Sequence, residues 1–265
     1  MESSSSLLIN RFFSRNTFRD PGEIGTSNVY TATIRRYVLD ADNKTNKECI
    51  SEVYEYLREN YQNEYYYKNT LLNKLLLGIH SPRTTSALTE IPIEGSKADF
   101  ILINGKAVVY EIKTDLDNLE RLDGQINDYY KAFSRVTVVT SESNYSDVEK
   151  RLQSTPTGIC VLTSRDTLSI RKKPEEYCAA LSKKTMFKIL RKNEYEKIVK
   201  TAHKMLPSVS QFEYYRACES LFTMLPTQEA YSLFLQQLKA RTRIEISEYS
   251  KVPYELKYLV YFLNY

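Results

Sequence analysis

Tryptophan is absent from this 265-residue sequence, and glycine, histidine and cysteine are scarce. With only 7 glycines, loops that cradle phosphate on bare backbone are not expected. Neither GxGxxG nor GxxxxGKS/T occurs, so a Rossmann dinucleotide site or a P-loop lacks its parts. Two histidines, His80 and His203, cannot build a multi-histidine metal centre. The four cysteines, at 49, 160, 178 and 218, are too far apart for zinc-ribbon spacing. No apolar run approaches the roughly 18 residues that cross a bilayer, and residues 2–6, Glu-Ser-Ser-Ser-Ser, do not read as a secretory leader. The expectation is a soluble, reduced, cytoplasmic protein with no membrane partner.

What is abundant is tyrosine, 22 residues, so amphipathic rings must supply much of the core with hydroxyls reaching its edge. The run Tyr61–Tyr67 reads as helix packing rather than a base-stacking platform. Net charge is only +4, but residues 171–265 carry 17 Lys/Arg against 10 Asp/Glu. The excess gathers in Lys183–Lys204, either a solvated helical face or a footprint for a polyanion. Lys183, Lys184, Lys188 and Lys192 are the candidate nucleic-acid contacts.

Residues 1–45 read as an N-terminal arm in which Asn28–Leu39 fits strand or helix equally. Helices are expected at Lys47–Tyr61, capped by Asn46, and at Glu64–Leu77, closed by Gly78. Strands follow at Thr85–Ile93, Ala98–Ile103 and Lys106–Lys113, the last two flanking the hairpin dipeptide Asn104-Gly105. A helix from Asp117 to Phe133, with Glu120 completing a capping box, precedes strands at Arg135–Thr140, Gly158–Thr163 and Thr167–Arg171 and a short helix near Ser146–Gln153. Residues 46–175 therefore predict an α/β domain with a mixed sheet. Residues 176–265 show only helical patterns, an all-helical C-terminal domain available to a protein partner.

Three charged residues stand in the apolar hairpin. Asp99 opens its first strand, and Glu111 and Lys113 close its second, on one face with Ile112 opposite. Charges in such runs need partners. Two carboxylates and the main-chain carbonyl of Ile112 are oxygen ligands suited to Mg²⁺ (or Mn²⁺), and the ammonium of Lys113 suits a water or a phosphate. Register decides whether they meet. A two-residue Asn104-Gly105 turn pairs Ile103 with Lys106, sets Asp99 opposite Tyr110 and turns Glu111 away. The chemistry needs one residue more in the turn, with Gly105 at positive φ, or a bulge or splay near Asp99.

Asp99 followed by Glu111-Ile112-Lys113 resembles the D-(x)n-ExK core of the PD-(D/E)XK nuclease superfamily. Lys97-Ala98-Asp99, Tyr110–Gln125, Tyr129 and Arg135–Thr140 are similar to one bacterial and phage family within it, the sce-type nuclease-like proteins. The likeness covers about residues 84–172. Ala98 stands where the superfamily often has proline, and Lys97 where arginine is commoner. The resemblance implies a restriction-endonuclease-like mixed sheet flanked by helices. It also implies metal-dependent hydrolysis of phosphodiester bonds in nucleic acid, DNA first, with Asp99, Glu111 and Lys113 catalytic. Glu90 matches a glutamate often seen upstream in this family. Gln125-x-x-x-Tyr129 is similar to the QxxxY motif of RecB-like nucleases, and Arg121 joins them at helical spacing as a supporting residue. The superfamily's acidic residue on the first helix could be Glu48, Glu52, Glu55, Glu59 or Glu64. The alternative implied is a nuclease fold without catalysis, serving as a nucleic-acid- or protein-binding regulatory module.

Overall fold

The structure, a computed structural model, describes residues 4–18, 27–79, 84–241 and 249–263. The chain groups into two compact units. One comprises residues 1–80, 114–116 and 244–265, the other 81–113 and 117–243. These do not follow the expected divisions at 45 and 175.

The first unit is helical. Its elements are α1 (Ser4–Phe12), α2 (Asn28–Tyr37), α3 (Asn46–Asn60) and α4 (Glu64–Leu71), the last running into a π-helix over Leu72–Ile79, and a C-terminal helix, Lys257–Leu263. The segment left open between strand and helix is thus helix α2. Thr45, not Asn46, caps α3: its hydroxyl accepts from Glu48 N, and the Glu48 carboxylate accepts from Thr45 N at 2.7 Å. Rings fill the interior, as the tyrosine count implies. Phe13 stacks on Tyr65 at 4.5 Å and Phe12 on Tyr30 at 5.4 Å, and Tyr65, Tyr66 and Tyr67 are buried. Buried Asn69 ties the C-terminal segment in, donating to the Tyr254 carbonyl at 3.0 Å and accepting from Tyr258 N at 3.0 Å.

The second unit holds one six-stranded mixed sheet with its strands in sequence order. The strands are β1 (Ser86–Ile93), β2 (Ser96–Asn104), β3 (Lys106–Lys113), β4 (Val136–Thr140), β5 (Gly158–Leu162) and β6 (Leu168–Lys172). β1, β2 and β3 pair antiparallel, β3, β4 and β5 parallel, and β6 returns antiparallel. Helices α5 (Leu122–Tyr130) and α6 (Tyr145–Leu152) make the two crossovers that parallel pairing requires. β4 and β5 are buried along their whole length, as central parallel strands are.

Four helices follow: α7 (Lys183–Ile189), α8 (Lys192–His203), α9 (Gln211–Met224) and α10 (Thr227–Lys239). They are not a separate body. Phe187, Phe222 and Phe234 share one apolar core with Ile101, Val109 and Val136 of the sheet and Ile126 of α5. Their amphipathic stripes need a surface to cover, and the sheet offers one. No described helix is long and apolar enough to cross a membrane.

Candidate functional site

β3 alternates Ala107, Val109, Glu111 and Lys113 on one face. Ala107 and Val109 pack in the core with Leu122, Ile126 and Tyr129 of α5, so this face lies under that helix. At the carboxyl end of the strand the apolar residues give way to the charged pair. Glu111 is 1% exposed and Lys113 is buried beside it. Lys113 Nζ donates to Glu111 Oε1 at 2.8 Å and to Gln125 Oε1 at 2.9 Å. The Tyr129 hydroxyl lies 2.6 Å from Glu111 Oε2 and 2.9 Å from the carbonyl oxygen of Lys97. Burial, and then the charge of Glu111, push the Tyr129 hydroxyl well above the usual tyrosine range, so it stays a donor. The strand end is fixed as well: Thr140 Oγ1 donates to the Lys113 carbonyl at 2.9 Å.

Asp99 reaches this place through the turn. Asn104 pairs with Lys106 around Gly105 at φ 68°, and the ladder runs regularly to Phe100 opposite Tyr110. That is the register with one residue more than a two-residue turn, and it brings Asp99 level with Glu111. Beyond Phe100, β2 leaves β3 and pairs only with β1. Ile112 N, facing the gap, donates instead to Asp99 Oδ2 at 2.9 Å. A residue's N–H and C=O point to the same edge of an antiparallel strand, so the Ile112 carbonyl faces this gap too.

Glu90 sits opposite Asp99 on β1, where the ladder skips one pair, and takes φ 58°, a costly conformation for a side chain of this size. The two carboxylates offer oxygens within 4.8 Å of each other. Lys97 forms an ion pair with Glu90, a contact the sequence did not foretell. Glu90 and Asp99 thus lie together, Lys97 pairs with Glu90, and the Glu111–Lys113 pair stands level with Asp99 on the neighbouring strand.

Helix α5 departs from expectation at its start. It begins at Leu122, not Asp117, because residues 114–121 form turns. Asn118 Oδ1 accepts from Glu120 N at 3.2 Å, a local bond that competes with helix initiation. No helix N-terminus therefore lies at Asp117. Arg121 stands exposed at the head of α5 and, among the described residues, makes no bond to Glu111, Lys113 or Asp99. Only Gln125 and Tyr129 of that trio join the site. The far end of α5 is pinned to the start of β2 by Ser96 Oγ donating to Asp128 Oδ2 at 2.8 Å.

The four candidate lysines separate. Lys183 donates its ammonium to the carbonyls of Thr223 and Leu225, closing the C-terminus of α9, and is withdrawn as a nucleic-acid contact. Lys184 is exposed, Lys188 pairs loosely with Glu94 at 3.5 Å, and Lys192 with Glu196 at 4.0 Å. The first-helix glutamates all have local work in the first unit: Glu48 in its cap, Glu52 on Lys44, Glu55 and Glu59 on Arg58, Glu64 on Lys68. His80 lies outside the described residues, and His203 Nε2 lies 3.0 Å from the Leu221 carbonyl. Burial pushes the Cys160 thiol up to about 11, as befits a core residue.

No solved structure matches this chain. Protein cII of Enterobacteria phage P4 is similar, 33% identical over 106 residues, which make up 39% of this chain and 39% of that protein. The chain spans about two fifths of the length of the curated relative it matches. The family model matches far more of the sequence, and with residues 57–251 aligned to it the chain belongs to the family described as bacteriophage P4 protein cII.

Proposed function

We propose that this protein is a metal-dependent phosphodiesterase acting on nucleic acid, DNA first, on a restriction-endonuclease-like sheet. One observation carries the reading: the hairpin register sets Asp99 level with the buried Glu111–Lys113 pair. A purely structural ion pair does not require a second carboxylate there, with a further residue, Glu90, strained beside it.

The donor set fits a hard divalent cation. Asp99, Glu111 and the Ile112 carbonyl are oxygen ligands of the kind Mg²⁺ and Mn²⁺ prefer. When bound, such an ion would supply Lewis-acid polarisation of a phosphoryl oxygen. The chain's own groups do the rest. Gln125 holds the Lys113 ammonium at the edge of the sheet, where it can orient a water or offset phosphate charge. Tyr129 keeps its proton and fixes the Glu111 carboxylate, preserving its charge for the cation. Lys97 balances Glu90.

A binding module without catalysis is the second reading. It is favoured by the hydrogen bonds that already occupy both Glu111 oxygens. The deciding experiment is digestion of single- and double-stranded DNA and RNA with and without Mg²⁺ or Mn²⁺, run beside Glu111→Ala. Metal-dependent cleavage lost in the variant supports the first reading. Binding without cleavage under every condition supports the second.

A further inference from the structure

A cleft of about 430 Å³ opens between α10 and the turn that joins β2 to β3. That is room for a small molecule, since ligand sites run from about 300 to about 1,000 Å³. Lys106 lines it from the turn. Gln228, Ser232, Gln236 and Lys239 line it from α10, where steps of three and four residues put them on one helical face. The wall behind them is preformed. Ile103 and Leu235 supply apolar surface, and the Tyr231 ring is fixed by its hydroxyl, which accepts from Ser134 N at 3.0 Å.

The charges of the cleft are one-sided. Glu176 is the one carboxylate among its lining residues, and Arg135 already pairs with it at 3.2 Å. Among the described residues, no carboxylate pairs with Lys106 or Lys239. Both lysines stand at one end. Ser86 Oγ donates to the Lys239 carbonyl at 2.6 Å, and Ser86 pairs with Ile103, which pairs in turn with Ala107, the neighbour of Lys106. Gln228 stands at the other end, about 16 Å back along α10 by helical rise.

Two uncommitted ammonium groups select an anionic end, and phosphate offers oxygens to both. A glutamine amide donates and accepts in one plane, the pattern that reads the edge of a base. A hydroxyl between the two ends suits a sugar. We propose that this cleft binds a nucleoside monophosphate, with the phosphate at Lys106 and Lys239, the sugar at Ser232 and the base at Gln228. The site stands apart from Glu111 and Lys113, because β3 begins at Lys106 and reaches Lys113 only after about 23 Å of strand. The proposal holds whether or not the protein cleaves nucleic acid.

The test is isothermal titration of the full chain in EDTA. The probes are the common nucleoside 5′-monophosphates, their nucleosides, ribose 5-phosphate and inorganic phosphate. At least one monophosphate should bind saturably, about tenfold or more tightly than its nucleoside, ribose 5-phosphate or phosphate. Lys106→Gln with Lys239→Gln should weaken that binding about a hundredfold, at about tenfold for each charged hydrogen bond lost. Ser232→Trp, from an exposed position, should fill the cleft and abolish binding. Unfolding curves confirm that the variants are folded. Failure of every monophosphate to bind saturably overturns the proposal. So does binding of phosphate or ribose 5-phosphate as tightly as the nucleotide, or unchanged nucleotide binding in these variants. If Lys113→Gln weakens binding as much as the lysine pair does, the nucleotide lies at the other end of the sheet and the cleft is not its site.

Discussion

Glu194 with Arg241 and Glu111 with Lys113 are two buried ion pairs of the same sheet-bearing unit, and their surroundings differ. Arg241 grips Glu194 with two parallel bonds, 2.7 and 2.6 Å, and gives a third to the Ile189 carbonyl at 2.8 Å. Glu194 also accepts from Arg191 N at 2.7 Å. One cation meets one anion, and the remaining bonds close the end of α7 and the start of α8. The Glu111–Lys113 pair is single-pronged, Asp99 stands level with it on the next strand, and Glu90 beside Asp99 is paired with Lys97. A fold gains nothing by crowding carboxylates. The first cluster matches one cation to one anion, whereas the second sets a further carboxylate, Asp99, level with its ion pair.

Lys113→Ala is the sharpest way to break this contrast. Cleavage should fall on the order of 10³-fold, the scale for removing one electrostatic contact to a reacting centre, with fold and metal binding retained. Single-turnover cleavage and a denaturation curve on the same preparation measure both. Near-normal cleavage would remove the lysine from the reaction.

Arg241→Ala should do the opposite. Removing one partner of a buried pair costs about 3–5 kcal/mol, since Glu194 is left charged and enclosed. Denaturant unfolding should show that loss, with cleavage per folded molecule unchanged. Replacing both residues by leucine should recover part of the loss, because no charge then remains buried. If Lys113→Ala destabilises as much as Arg241→Ala, the two pairs are alike after all.

Tyr129→Phe tests how far Glu111 depends on its neighbour. A hydrogen bond to a charged group contributes about 1.5–3 kcal/mol, so stability and cleavage should both fall, cleavage about tenfold. The pH dependence has a definite sign. The hydroxyl titrates above the ordinary value of 10.0 because it is buried and lies beside Glu111. Its contribution is fully present below pH 10 and is lost as pH rises through the folded value. Tyrosinate absorbance after a jump to strong alkali should show this hydroxyl ionising only as the protein unfolds. Ionisation ahead of unfolding would place Tyr129 nearer solvent.

Much of this was legible in the sequence, and the failures share a cause. Period-two runs around Asn104-Gly105 gave the hairpin to within a residue or two at its first strand, and the helical patterns of residues 176–265 are those of α7 to α10. Local chemistry sets those elements. What amphipathic helices cover is not written in their own residues. So the C-terminal helices read as a separate domain, although Phe187, Phe222 and Phe234 complete the core of the sheet. The start of α5 was misplaced because Asp117 and Glu120 mimic a capping box while Asn118 forms its own turn. The π-helix over Leu72–Ile79 has no periodic signature. Asp99, Glu111, Lys113, Gln125 and Tyr129, named from the sequence, lie together in the fold, but the Lys97–Glu90 contact was not foreseen, because it depends on the strained backbone of Glu90.

The smallest effect belongs to the turn that brings the charges together. Gly105 holds φ 68° in open space, so an added Cβ would meet no neighbour, and the cost of Gly105→Ala is all backbone. That cost is about 1 kcal/mol. Asparagine tolerates this conformation better than alanine, so Gly105→Asn should recover much of the loss. The five pairs from Asn104–Lys106 to Phe100–Tyr110 are held by buried residues along β2. The ladder should therefore keep its register, with Asp99 still level with Glu111. Cleavage per folded molecule should then match wild type in both variants, while unfolding midpoints order as Gly, Asn, Ala. A variant that stays folded yet loses cleavage would mean that β2 had slipped by one residue. It would then turn Asp99 away from Glu111 while leaving Glu194 and Arg241 untouched, and so tie the difference between the two ion pairs to the turn itself.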